Sequence, residues 1–176
     1  MSQSEKRARE LLDKYGVLNS PVPVEKIAVG EGAEIARHRF EGWESGFLLR
    51  DGARVIIGVN TRTSRRRQRF TMAHEIGHLL FHDGILIVDH AVRVNWRDEV
   101  SGMATDRQEI QANAFAAELL MPRELVIDHL EIYIDEVTRT SRVMSHEDLI
   151  SQLAREFDVS AEAMGYRLIN LGILAT

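Results

Sequence analysis

The chain has 176 residues, is 44% hydrophobic and 28% charged, and carries a formal net charge of −5. These values suit a globular chain long enough to bury a core, and they exclude a disordered protein and a generally basic nucleic-acid binder. There is no cysteine, so disulfides, thiolate metal sites and cysteine nucleophiles are excluded, and any metal centre must be built from His, Asp and Glu.

Residues 4–15 set Ala8, Leu11, Leu12 and Tyr15 at helical spacing, and Gly16 is a natural stop. The N-terminal stretch is polar and charged, so no secretory signal is expected. The longest apolar runs, such as Val55-Ile56-Ile57 and Leu79-Leu80-Phe81, are far short of a membrane span. A cytoplasmic location is the expectation. Asn19-Ser20-Pro21-Val22-Pro23 reads as a turn-rich link, and Val24–Ala28 as a short helix broken by Gly30 and Gly32. Strands are expected over Ala33–Arg39, Gly46–Arg50 and Ala53–Val59, with Asp51-Gly52 as a two-residue hairpin turn between the last two. They predict a small, mostly antiparallel sheet.

From Ser64 to His82 the pattern is helical, and Gly84 marks its end. Residues 85–105 have weak periodicity and read as a loop. Asp106–Leu120 is helical and alanine-rich, and Pro122 stands where a further helix can begin. A polar link over Thr138–Ser145 leads to helices over His146–Phe157 and Ala161–Leu171. The order is helix, sheet, then helices, an α+β fold. Residues 1–140 are expected to form the main domain. Residues 141–176 are expected to form a helical extension resembling a helix-turn-helix, packed on the same domain.

The chemistry centres on His74-Glu75-Ile76-Gly77-His78. Histidines four apart on a helix project from one face, one turn apart, so both imidazoles can reach a single ion at about 2.0–2.1 Å. Glu75 stands beside them without being a ligand. There it can take a proton from a hydrolytic water and pass it to a leaving amine. The motif sits in a helical window with an apolar face that includes Phe70, Ala73, Ile76, Leu80 and Phe81. His and carboxylate donors suit zinc best, although affinity alone does not decide occupancy and manganese stays open.

The third ligand must come from elsewhere. A histidine six residues after the second one would serve, but that position is Gly84. His82 continues the four-residue series, yet eight residues of helix rise about 12 Å, too far for His74 and His82 to share an ion. The C-terminus of the helix, which favours positive charge, is its expected place. Glu109-Ile110-Gln111-Ala112-Asn113 offers a carboxylate on a later helix. Glu109 and Asn113 share a face, so Glu109 is the expected ligand and Asn113 the expected acceptor for a ligand histidine. Ala112, Ala116 and Ala117 allow the two helices to approach closely. Glu118 and Asp106 are rivals on spacing alone.

Arg69-Phe70-Thr71-Met72-Ala73 leading into His74-Glu75-Ile76-Gly77-His78-Leu79-Leu80, followed by Glu109-Ile110-Gln111-Ala112-Asn113-Ala114-Phe115-Ala116-Ala117-Glu118-Leu119-Leu120-Met121-Pro122, resembles the ImmA/IrrE family of metallopeptidases. The basic-polar first helix, the Pro-Val pair, Val59-Asn60, and the stretch from Leu153 to Ser160 match as well, so the likeness spans most of the chain. It implies a thermolysin-like zinc site with His74, His78 and Glu109 as ligands and Glu75 as the base. Many relatives carry Glu where Gln111 stands. That departure favours Glu109, because Gln111 supplies no charge. The likeness further implies a protein substrate, a helix-turn-helix repressor of a phage, a mobile element or a stress regulon. The residues themselves show only peptidase-like chemistry.

Other features suggest other partners. Arg62, Arg65, Arg66, Arg67 and Arg69 form a basic run at the start of the motif helix. It is read as a solvated face, with docking of an acidic partner as the functional alternative. The C-terminal helices offer Arg167 and Asn170 to a DNA-reading role, but are otherwise apolar or acidic, and packing is expected instead. His129, Tyr133 and Arg142 are candidates for the donor that stabilises an oxyanion, and Trp96 for a groove-lining residue. The leading expectation is a zinc endopeptidase. A DNA-binding or antitoxin-like regulator and a metal-binding scaffold without turnover are the competitors. Direct nucleic-acid or membrane binding is not expected.

Overall fold

Ser2 opens the first helix, α1 (Gln3–Lys14), through a reciprocal cap: its hydroxyl accepts from the Glu5 amide, and the Glu5 carboxylate accepts from the Ser2 amide. The computed structural model describes residues 2–42, 44–90, 104–140 and 145–175, with the backbone alone at 89–90 and 104–106. The apolar face of α1, with Ala8, Leu11 and Leu12, is buried. Gly16, at φ +61°, turns the chain where a side chain would be strained. The short helix α2 follows over Val24–Gly30.

Four strands form one sheet: β1 (Ala33–His38), β2 (Glu44–Asp51), β3 (Arg54–Asn60) and β4 (Leu86–His90), in the order β1-β3-β2-β4. The β2–β3 and β2–β4 pairings are antiparallel and β1–β3 is parallel, so the sheet is mostly antiparallel, as expected. Two details differ from the sequence reading. Asp51 pairs with Arg54, so the hairpin turn is Gly52-Ala53, one residue later than expected, with Gly52 at φ +59°. The predicted loop after residue 84 begins instead with β4. A five-residue strand shows too little periodicity to be recognised locally, and its pairing with β2 defines it. Trp96 lies outside the described residues.

Helix α3 (Arg65–Phe81) carries the histidine motif. Ser64 caps its start by accepting from the Arg67 amide at 3.2 Å. Arg50 of β2 closes its other end, donating to the carbonyls of His78, Leu79, His82 and Gly84 at 2.7–3.3 Å. That guanidinium satisfies carbonyls that a helix end leaves without partners, and it places positive charge where the helix dipole favours it. Helix α4 (Ala104–Leu120) lies against α3, with Phe81 and Phe115 edge to face at 5.6 Å. Helix α1 packs on α4 in turn.

Helix α5 (Arg123–Thr140) takes in the first residues of the expected polar link, and α6 (His146–Glu156) and α7 (Ala161–Asn170) follow. Leu149, Leu153, Phe157, Met164 and Leu168 enter the same core as Leu11, Ile57, Ile76 and Phe115. Buried charge joins these helices to α4. Arg167 pairs with Glu118 and donates to the Met121 carbonyl at 2.9 Å.

Candidate metal centre

Every residue from Thr71 to His78 is buried, because α3 is packed against α2, α4, β2 and β3. On the sheet side the closest approach is at Gly46. A Cβ there would overlap the Thr71 methyl and stand 2.6 Å from the Gly58 carbonyl and 3.5 Å from Glu75 Oε1. Gly46 therefore allows α3 to sit directly on β2, and Glu75, fully buried, is held against that strand. From the sequence, Gly46 is only the start of a strand. Its role depends on which helix residue lies above it.

On the other side of α3, Gly77 faces α4. A Cβ at Gly77 would stand 3.0 Å from Ala112 Cα and 3.3 Å from Ala112 Cβ. This glycine–alanine contact brings the helices close enough for Glu109 to reach both histidines. The Nε2 atoms of His74 and His78 are 2.9 Å apart, and the Glu109 carboxylate oxygens lie 3.1 Å and 3.2 Å from them respectively. The two imidazoles are almost fully buried, whereas the Glu109 side chain is 37% exposed and opens the group to one side.

This donor set fits a metal ion. Ligand atoms at about 2.0–2.1 Å from a tetrahedral ion stand roughly 3.3 Å from one another, close to the separations found here. The outward nitrogens are already engaged. His74 Nδ1 lies 2.9 Å from Asn113 Oδ1, and His78 Nδ1 lies 2.9 Å from His82 Nδ1. Asn113 thus occupies its expected place behind His74. Burial alone would raise the Glu109 carboxyl. Its hydrogen bonds with His74 and His78, and their charge, outweigh that effect and hold it well below the usual carboxylate range.

The rivals for the third donor lie elsewhere. Glu118 is buried with Arg167, and nine residues of helix separate it from Glu109 by roughly 13 Å. The Asp106 side chain lies outside the described residues. His82 caps α3 as expected, and its ring also touches His78, one turn earlier. The backbone leaves the helix at His82, with φ −125° and ψ 137°, and the imidazole turns back against the previous turn. Burial lowers the affinity of His82 for a proton, although its hydrogen bond to Gln111 works in the other direction.

The remaining candidates have local partners. Arg65, Arg66 and Arg69 gather around the Asp158 carboxylate at 3.1–3.6 Å, between α6 and α7. Arg67 reaches Ser45 and Arg69 the Val22 carbonyl. Arg67 and Arg69 therefore tie α3 to its neighbours, whereas Arg65, with its side chain 80% exposed, keeps the solvated character expected of the run. Arg167 is buried, so it is not on the outer face that a DNA-reading helix needs. His129 is held between Glu156, at 2.7 Å, and Ser20, at 3.2 Å. Tyr133 packs against the core, and Arg142 lies outside the described residues.

A family model described as Peptidase_M78, the IrrE N-terminal-like domain, matches residues 30–169. The chain is 32% identical over 176 residues to the radiation response metalloprotease IrrE of Deinococcus deserti, covering 96% of this chain and 54% of that protein. It is 31% identical over 128 residues to the protein of the same name from Deinococcus radiodurans, covering 72% of this chain and 34% of that one. An uncharacterized immunity region protein of Bacillus phage phi105 is 27% identical over 94 residues, which cover 52% of this chain and 55% of that protein. The chain spans about half the length, or less, of these curated relatives.

Proposed function

This chain belongs to the IrrE N-terminal-like family of metallopeptidases, and on that premise we propose that it is a zinc-dependent endopeptidase acting on a protein substrate. The observation that carries the proposal is the convergence of His74, His78 and Glu109, whose ligand atoms all lie within 4.8 Å of one another. These three residues would hold the ion, with zinc favoured by the donor set and manganese second. When bound, the ion would acidify a water molecule and polarise a substrate carbonyl.

The chain's own residues supply the proton transfers. The Glu75 carboxylate accepts a proton as water attacks the scissile carbonyl, then returns it to the amine nitrogen as the C–N bond breaks. Burial against β2 keeps Glu75 in place for both steps. Asn113 and His82 orient the two histidines from behind.

The substrate we propose is a helix-turn-helix repressor in the cytoplasm. The family resemblance supports it, as do the names of the relatives, which refer to a radiation response and to a phage immunity region. Among the described residues no helix is long and apolar enough to cross a membrane. A regulator that reads DNA through its C-terminal helices is the weaker proposal, because Arg167 is committed to Glu118.

The test begins with calorimetric zinc titration of metal-stripped protein and its Glu109→Ala variant, followed by incubation with a candidate repressor. One tight site, greatly weakened in Glu109→Ala, is expected. Cleavage by wild type, with no cleavage by a Glu75→Gln variant that still binds zinc, completes the proposal. Absence of zinc binding in the wild type overturns it.

A further inference from the structure

We propose that His82, Gln111 and Gln3 form a hydrogen-bonded relay that fixes the tautomer of His78, with His82 as the positioning residue for that ligand. This inference rests on the reading of His78 as a metal ligand. A histidine binds a metal only through a ring nitrogen that carries no proton. For His78 that nitrogen is Nε2, which faces His74 and Glu109. Whatever holds the proton on Nδ1 therefore prepares the site.

The direction of the relay is that of the Gln111 amide. Gln111 presents Oε1 to His82 Nε2 at 3.2 Å, and its Nε2 lies 3.4 Å from Oε1 of Gln3 at the surface. An amide oxygen only accepts, so His82 Nε2 carries a proton. The Nδ1 of a neutral His82 is then an acceptor. It lies 2.9 Å from His78 Nδ1, which must donate to it. The Nε2 lone pair of His78 is left facing the other two donors. If the Gln111 amide were reversed, each step would reverse, and His78 Nε2 would point a proton at Glu109 and His74.

The fold holds each member in place. His82 is buried at the C-terminal cap of α3, one turn beyond His78, with its ring against that of His78. Gln111 lies on α4 two residues beyond Glu109, and the Ser4 hydroxyl of α1 donates to its carbonyl at 3.2 Å. Gln3 lies beside Ser4 in the first turn of α1. The N-terminal helix therefore reaches the centre through side chains that touch neither ion nor substrate. His74 needs no such chain, because Asn113 Oδ1 can only accept.

Two substitutions at Gln111 separate the polarity of the relay from its presence. In Gln111→Glu the side chain can still accept from His82, whereas in Gln111→Lys it can only donate. His82→Gln retains an acceptor for His78, and His82→Leu removes it. Zinc affinity is measured by competition calorimetry on metal-stripped protein. The protonated nitrogen of each histidine is identified by 15N NMR of the metal-free, histidine-labelled protein, which separates an altered tautomer from the charge of the lysine.

The expected result is a proton on Nδ1 of His78 and on Nε2 of His82 in the wild type. Gln111→Glu and His82→Gln should keep the His78 tautomer and bind zinc within about threefold of wild type. Gln111→Lys and His82→Leu should lose about 10–100-fold in affinity and mix the His78 tautomers. An unchanged tautomer and wild-type affinity in Gln111→Lys would overturn the relay even if His82→Leu failed to fold, because position 111 is only half-buried. Failure of the metal reading would appear separately, as no zinc uptake by the wild type, and the NMR measurement would still test the relay.

Discussion

Replacing Gly77 with alanine tests whether the closeness of α3 and α4 builds the centre. The added methyl would lie 3.0 Å from Ala112 Cα, 3.2 Å from Phe115 Cδ1 and 3.3 Å from Ala112 Cβ. Carbon atoms pack best at about 3.5–4.0 Å, so the helices must separate by roughly 0.5 Å. Ala112 Cα is backbone, which no rotamer change can move aside. Two effects on stability oppose each other. Alanine is favoured over glycine in a helix by about 1 kcal/mol, and overpacking costs about 1–3 kcal/mol. The metal-free protein should therefore be destabilised by about 0–2 kcal/mol. Metal binding should suffer more, because Glu109 moves with α4 while His74 and His78 remain on α3. Donor distances in metal sites are held to about 0.2 Å, so a loss of at least tenfold in zinc affinity, about 1.4 kcal/mol, is expected. Denaturant unfolding of the metal-free protein and calorimetric zinc titration measure the two quantities. A Gly77→Ala protein that is more stable and binds zinc with wild-type affinity would refute the reasoning.

At Gly46, alanine would collide with the Gly58 carbonyl and the Thr71 methyl. It should lift α3 from the sheet and reduce turnover more than zinc affinity, as kinetic and calorimetric measurements would show. Arg167→Met leaves the Glu118 carboxylate buried without its main partner and should destabilise by about 3 kcal/mol in urea. Adding Glu118→Leu should recover most of that loss, and no recovery would mean that the pair is not the source. Zinc at one hundred times its dissociation constant should stabilise the protein by about 2.7 kcal/mol, raising Tm by roughly 5–10 °C in a scanning melt. A chelator should remove the rise, and Glu109→Ala should not show it.

Much of this protein is legible in the order of its residues. The pair His74 and His78 is visible because four residues make about one helical turn, a purely local relation. Glu109 and Asn113 follow the same rule on α4, where Ala112 and Ala116 mark the face that meets another helix. The helix starts near Ser64 and His146 are legible too, although the caps that Ser64 and Ser145 form are seen only in the structure. The α+β order and the mostly antiparallel sheet follow from the alternation of such segments.

What the sequence left open depends on contacts between distant segments. β4 is a strand because β2 lies beside it, and the hairpin turn is Gly52-Ala53 because Asp51 pairs with Arg54. Arg69 looks solvated until Asp158, far along the chain, is packed beside it, whereas Arg65 stays mostly exposed. His82 is too far along the helix from His74 to share an ion with it, yet it stands one turn from His78 and touches it, a contact whose further partner, Gln111, comes from another helix. Spacing along the chain therefore determined which side chains share a face and what chemistry they offer. Tertiary packing alone decided which faces meet, since the burial and hydrogen bonding that select those partners act between segments far apart in sequence.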